Sequence, residues 1–275
     1  MGALDNKVAI VTGGGRGIGR AIAEALARAG ARVTITAARS SAELSAAADA
    51  IGKIAGADRI LALTADVTND ADCGRVVDET VKRFGRLDIL VNNAGRGYRF
   101  ILEANAHLPE PERLKFWNTP VDLWRTIVDT NVTGPFLMAR AAVPQMLKRR
   151  WGRIINIGAT FNTMRKAGNA PYGISKTTIE PATAIWSQDL AETGVTVNTL
   201  MPGGATQTGM ATALSGTGGR KLLDPAIMGP PAVWLCSDEA ADITGARVDA
   251  KRWDTAIPER EAFVIARAPD LISET

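Results

Sequence analysis

Tyr172 stands four residues before Lys176 in the segment Tyr172-Gly173-Ile174-Ser175-Lys176. On a helix this spacing puts both side chains on one face, a single turn apart. A free phenol titrates near about 10, too high for an efficient base at neutrality, and a nearby ammonium favours the phenolate. The pair can therefore work as a general acid/base, or simply pack on a helix surface. Tyr98, the only other tyrosine, has no such partner in sequence. A second cluster is Thr12-Gly13-Gly14-Gly15-Arg16-Gly17-Ile18-Gly19, between an apolar strand pattern and a helical one. Glycines there permit a tight turn, and backbone N–H groups at a helix N-terminus can approach a phosphate closely. Taken alone, the cluster can equally be only a turn.

The next strand discriminates between dinucleotides. An NAD(H) site places a carboxylate at the end of this strand for the ribose hydroxyls. Here the strand ends Thr36-Ala37-Ala38-Arg39, with no acid. Arg39 and Arg16 can instead pair with a 2′-phosphate, which favours NADP(H) and leaves NAD(H) possible. The alternative is that both arginines are solvated surface charges.

The elements that must position these residues alternate between β-branched runs and helical patterns, the signature of a parallel sheet. Strands are expected at residues 7–12, 32–37, 59–64, 87–92, 153–157, 195–201 and 247–250. Helices are expected at 16–29, 41–54, 70–84, 121–150, 171–192 and 230–237, with bends in the long one at Gly134-Pro135 or Pro144. The expected fold is α/β, a Rossmann-like doubly wound parallel sheet of about seven strands with helices on both faces. No repeat or linker divides residues 1–275, so one domain is expected.

Composition narrows the function further. The formal charge is +3, with 46% hydrophobic and 22% charged residues, an ordinary globular balance. Lys148-Arg149-Arg150 suits a helix C-terminus, and no basic stripe points to nucleic acid. Cys73 and Cys236 are far apart, and His107 is a lone histidine, so no metal site is expected. No signal-peptide core or bilayer-length apolar run is present, and Asn6 occupies the place where a myristoylation site needs Ser or Thr. The expectation is a soluble cytoplasmic protein acting on a small molecule.

In order and spacing, these features resemble the short-chain dehydrogenase/reductase family. The glycine cluster is similar to its cofactor loop, Asp66-Val67 to its adenine-contacting pair, and Asn92-Asn93-Ala94-Gly95 to the motif ending its fourth strand. Asn131 resembles its helix asparagine, Tyr172 to Lys176 its Tyr-x-x-x-Lys, and Pro202-Gly203 the turn after its sixth strand. Ser237-Asp238-Glu239 and Ile243-Thr244-Gly245 resemble its C-terminal segment, so the likeness runs from about residue 5 to 250. It implies hydride transfer between NADP(H) and a carbonyl or secondary alcohol, with Tyr172 as acid/base. Lys176 would also bind the nicotinamide ribose, and Asn131 would position a relay water. Thr206 or Thr208 would lie near the nicotinamide amide, in a substrate loop at 204–223. The resemblance also implies a homotetramer or homodimer.

One departure matters. The family places a serine thirteen residues before the tyrosine, and here that position is Ala159. An alanine side chain cannot donate a hydrogen bond to a substrate oxygen. Thr160 can supply the hydroxyl if the loop is rearranged. Alternatively an inactivating substitution or a tolerated weaker site is present, or the chain binds dinucleotide without turnover. Loss of one such donor costs about 10²–10³ in rate rather than all catalysis. Non-redox lyase or epimerase chemistry is a third class. Residues 96–120 look like an insertion after the fourth strand, where Tyr98, Phe100, His107, Phe116 and Trp117 can wall a substrate pocket or pack on their own domain. In the extension 251–275, Trp253, Ile257, Phe263 and Ile265 can cover the chain's own core or dock on a neighbouring subunit.

Overall fold

In the computed structural model the described residues are 2–208 and 222–269. Seven strands form one parallel sheet: β1 (Val8–Val11), β2 (Arg32–Ala37), β3 (Ile60–Thr64), β4 (Ile89–Asn92), β5 (Gly152–Ile157), β6 (Val195–Met201) and β7 (Arg247–Asp249). Their order is β3-β2-β1-β4-β5-β6-β7, and every pairing is parallel.

The helices packed along the sheet and around the site are α1 (Gly17–Arg28), α2 (Ala42–Ala55), α3 (Asp70–Phe84), α5 (Val121–Val128), α6 (Gly134–Leu147) and α8 (Tyr172–Asp189). Further ones are α4 (Arg99–Ala104), α7 (Phe161–Met164), α9 (Gly229–Leu235) and α10 (Glu259–Ala266). Strand alternation divides the interior into two cores. Ala9, Val11, Ile89, Val91, Ile155 and Ile157 join Ile22 and Leu26 of α1 and Leu44 and Ile51 of α2 on one face. Ile10, Leu90 and Ile154 join Val76 and Val77 of α3 and Met138 and Met146 of α6 on the other.

The strand order reverses between β1 and β4, and ligands in open α/β sheets bind beyond the carboxyl ends of the strands at such a reversal.

The single helix expected over 121–150 is interrupted. Residues Asp129–Thr133 form a π-helical turn between α5 and α6, closed by the Gly134 N–H on the Asp129 carbonyl. Pro135 explains the break, because it has no N–H to donate to the carbonyl of Asn131 four residues earlier. Asn131, a candidate site residue, sits inside this turn and is 1% exposed.

The 96–120 segment holds α4 and two 3₁₀ turns organised around buried Asn105, whose amide donates to the Arg113 and Asn118 carbonyls. Phe100, His107, Phe116 and Trp117 are exposed, whereas Tyr98 is half-buried with its ring against that of Tyr172.

Much of the 204–223 loop lies outside the described residues. The described part of the C-terminal extension covers the chain's own core: Trp234 packs on Trp253 at 5.6 Å and on Phe263 at 5.1 Å between ring centroids. Ile257 is half-buried against the same core, while Ile265 faces solvent.

Candidate active site

The glycine turn is built as the sequence anticipates. Gly13 (φ +65°) and Gly17 (φ +55°) adopt the left-handed conformation that favours glycine. Gly14 and Gly15 are closed in by Ile35 and Leu44, and Ile18 packs against the first core. No side chain caps the N-terminus of α1, which leaves the helix end without a side-chain acceptor for its first N–H groups. Gly19 lets α1 pass close to Asn93, since a Cβ there would collide with the Asn93 amide and the Gly13 carbonyl. Asn93 Nδ2 in turn donates to the Thr12 carbonyl at 2.8 Å and the Gly13 carbonyl at 3.1 Å. The Asn93 and Ala94 N–H groups both donate to Thr12 Oγ1 at 3.0 Å. Asn93 and Ala94 thus lock the glycine turn to the end of β4, and Gly95 continues toward Asn131 Oδ1.

Beyond β2, Arg39 is exposed and Arg16 forms an exposed ion pair with Glu43 at 3.4 Å. No acid ends β2. Asp66 Oδ1 accepts from the Thr68 N–H and hydroxyl, while Val67 is buried against Gly134. After β6, Pro202 and Gly203 (φ +79°) turn the chain beside Asp249. Thr206 is buried, its hydroxyl donating to the Gly204 carbonyl and its backbone bridging to Leu223. Thr208 lies against Gly17, which brings the start of the substrate loop onto the glycine turn. The turn fits the close backbone approach that a dinucleotide phosphate needs, since at Gly13, Gly14 and Gly19 a Cβ would press on Asn93, Ile35 and the Gly13 carbonyl.

Tyr172 begins α8, half-buried, and its hydroxyl makes no hydrogen bond to a described residue. Lys176 is 6% exposed, and its ammonium donates to the Ile157 carbonyl at the end of β5, 2.7 Å away. The Asn131 amide nitrogen donates to Ser175 Oγ and to the Arg96 carbonyl, each at 2.9 Å, and Asn131 Oδ1 accepts from the Arg96 N–H at 2.8 Å. Ser175 Oγ donates to the Tyr172 carbonyl at 2.8 Å. Asn131 therefore clasps the segment after β4 to the first turn of α8.

The electrostatics correct one expectation. Burial of the phenol, with the nearby Tyr98 adding to it, pushes Tyr172 up to about 12. Burial draws the Lys176 ammonium down to about 8. Desolvation leads both shifts, so the lowered phenol that the four-residue spacing suggested is not what the buried pair shows.

At the departure, Ala159 is 5% exposed. Thr160 caps α7: its hydroxyl accepts from the Thr163 N–H at 3.3 Å and pairs with the Thr163 hydroxyl at 3.0 Å. The Ala159 carbonyl is held by Arg247, whose guanidinium forms a buried ion pair with Glu180 at 2.6 Å and stacks 4.5 Å from the Phe161 ring centroid. Sequence reading missed Arg247, which opens the short β7 strand and whose partner Glu180 lies far away in sequence. It likewise missed the hydroxyl of Ser175.

A family model described as short chain dehydrogenase matches residues 7–217. The chain belongs to the short-chain dehydrogenase family. It is 37% identical over 251 residues to a 3-oxoacyl-[acyl-carrier-protein] reductase of Vibrio cholerae, covering 88% of this chain and 94% of that one. The corresponding Escherichia coli reductase is 36% identical over 250 residues, with the same coverage. A crystal structure presented as a short-chain alcohol dehydrogenase from Sinorhizobium meliloti superposes with a TM-score of 0.75 at 32% identity, over 90% of this chain and 95% of that one. The protein is an NAD(P)-dependent oxidoreductase. Among the described residues no helix is long and apolar enough to cross a membrane, and no group of His, Cys, Asp and Glu could hold a metal ion.

Proposed function

We propose that this short-chain dehydrogenase moves a hydride between NADP(H) and a ketone/secondary-alcohol pair, with Tyr172 as general acid/base. The observation that carries this reading is the unbonded Tyr172 hydroxyl beside buried Lys176 at the carboxyl edge of the sheet. The glycine turn (Gly13, Gly15, Gly17, Gly19) would hold the pyrophosphate, Asp66 and Val67 the adenine, and Arg16 and Arg39 a 2′-phosphate. Lys176 would hold the nicotinamide ribose, with Pro202, Gly203, Thr206 and Thr208 around the amide.

When bound, the nicotinamide supplies or accepts the hydride. In the reducing direction Tyr172 gives its phenolic proton to the substrate oxygen as the carbonyl carbon becomes tetrahedral. A phenol held well above neutrality stays protonated, which suits this direction. Asn131 fixes the first turn of α8, so the phenol is aimed without reorganisation. Relatives named as 3-oxoacyl-[acyl-carrier-protein] reductases make a 3-oxoacyl thioester the first substrate to try. Exposed Phe136 on α6 and Ile174 and Ile185 on α8 support a homodimer or homotetramer joined through these helices.

A second reading, dinucleotide binding without turnover, is favoured by Ala159 and by the engagement of Thr160 as a helix cap. Fluorescence titration with NADPH and NADH, then cofactor oxidation against ketones and a 3-oxoacyl thioester, separates the two. Tighter NADPH binding with turnover is expected. Binding without turnover of any carbonyl selects the second reading, and absence of dinucleotide binding overturns both.

A further inference from the structure

A carbonyl oxygen gaining negative charge is best stabilised by two aimed donors. Tyr172 is one. The usual second is missing at its position, because Ala159 has no hydroxyl, and the neighbouring Thr160 oxygen is turned to the Thr163 N–H as the cap of α7. Another phenol is nearby. The ring of Tyr98 meets the ring of Tyr172 edge-on, with centroids 6.1 Å apart and planes at 88°. The position of Tyr98 is fixed from both sides. Two residues before it, Arg96 is clasped through its N–H and carbonyl by the Asn131 amide that also holds Ser175. Just after it, α4 begins with the Leu102 N–H on the Tyr98 carbonyl and is anchored by fully buried Ile101. The Tyr98 hydroxyl makes no hydrogen bond to a described residue, and Tyr98 is half-buried at the carboxyl edge of the sheet. The two phenols are close enough that the charge of an ionised Tyr98 opposes ionisation of Tyr172.

We infer that Tyr98 is a second catalytic residue, whose hydroxyl donates a hydrogen bond to the substrate oxygen opposite Tyr172 in place of a side-chain hydroxyl at position 159. The inference rests on the reductase reading above. Tyr172 remains the proton donor, and the Tyr98 proton stays on its own oxygen throughout. The chain thus meets the two-donor requirement from the segment after β4 instead of from the loop after β5. A pocket built this way admits the substrate oxygen between two aromatic rings, which suits a ketone flanked by apolar groups.

The test uses the full chain with NADPH and the best ketone of the panel, comparing the parent with Tyr98→Phe, Ala159→Ser and the double variant. Phenylalanine keeps the ring contact and removes only the hydroxyl. Tyr98→Phe is expected to lower kcat about 10²-fold or more with NADPH affinity unchanged. The serine of the double variant is expected to restore at least tenfold of that loss. In the parent background Ala159→Ser is expected to change kcat by less than about threefold, because a second donor is already in place. A Tyr98→Phe variant within about threefold of the parent overturns the inference. So does a tenfold or larger gain from Ala159→Ser alone, a result that does not depend on the fold of any Tyr98 variant. A parent that binds NADPH and turns over no carbonyl overturns the reductase reading and this inference with it. An active parent combined with either of the first two results overturns this inference alone.

Discussion

Replacing Lys176 by methionine should make the protein more stable while it disables the site. Lys176 is 6% exposed, and burial draws its ammonium from 10.5 down to about 8. At about 1.4 kcal/mol per pH unit, holding that charge inside the fold costs about 3 kcal/mol at neutrality. Methionine fills similar space without charge, but it gives up the bond to the Ile157 carbonyl, worth about 1–2 kcal/mol. A net gain of about 1–2 kcal/mol remains, which for a chain of this size raises Tm by about 2–4 °C. The pH dependence gives the sharper test. Native Lys176 releases its proton near pH 8 and the unfolded chain near 10.5, so in that window the unfolded state binds more protons and parent stability rises with pH. The penalty is full below about pH 8 and largely relieved by pH 10. Thermal unfolding of parent and Lys176→Met at pH 7 and pH 10 measures this, since every other titrating group is shared. Activity should fall at least about 10²-fold. A methionine variant less stable than the parent at pH 7, or an advantage that does not shrink toward pH 10, would refute the reasoning.

Three other expectations can be checked directly. Arg39→Asp should move the NADPH/NADH affinity ratio toward NADH by roughly 10–100-fold, the worth of one charge-assisted phosphate contact, and an unchanged ratio by fluorescence titration would remove Arg39 from the site. Arg247→Met takes a guanidinium away from Glu180, the Ala159 carbonyl and the Pro269 carbonyl, and should cost about 3–5 kcal/mol in urea unfolding; a loss below about 1 kcal/mol would show the buried pair to be incidental. Because burial pushes Tyr172 up to about 12, the ultraviolet difference between cofactor-free parent and Tyr172→Phe should show no phenolate below about pH 10. Phenolate appearing near pH 7 would mean that the charge of Lys176 outweighs desolvation after all.

The strands were legible because a parallel sheet covered on both faces needs unbroken apolar, β-branched runs. The segments at 32–37 and 195–201 are bounded in the structure as their composition indicates. The α3 helix was equally plain, opening on an Asn69 cap and closing on left-handed Gly85. The 121–150 helix was harder. Its apolar pattern continues through the break, and Gly134-Pro135 reads as a bend in sequence whichever kind of turn precedes it. The short helices α4, α7 and α10 escaped because four to eight residues are too few to repeat a helical apolar pattern against loop composition.

The site divides along the same line. Tyr172, Lys176, Asn131 and the glycine turn were identifiable because their chemistry depends on residue type and local spacing. Their electrostatics were not, since spacing gives the sign of the interaction between Tyr172 and Lys176 but only burial gives its size against desolvation. Tyr98 and Arg247 lie 74 and 67 residues from their partners Tyr172 and Glu180, and no local pattern marks such a pairing. The two are nevertheless coupled to the one local anomaly that was visible, Ala159. Arg247 fixes the Ala159 carbonyl and stacks on Phe161, and this holds the loop in the arrangement that commits the Thr160 hydroxyl to capping α7. With the loop held so, a serine-for-alanine exchange at 159 adds a hydroxyl without touching the Thr160 cap. For that reason the Ala159→Ser comparison, and not a Thr160 variant, tests whether the second donor comes from the other side of the cleft.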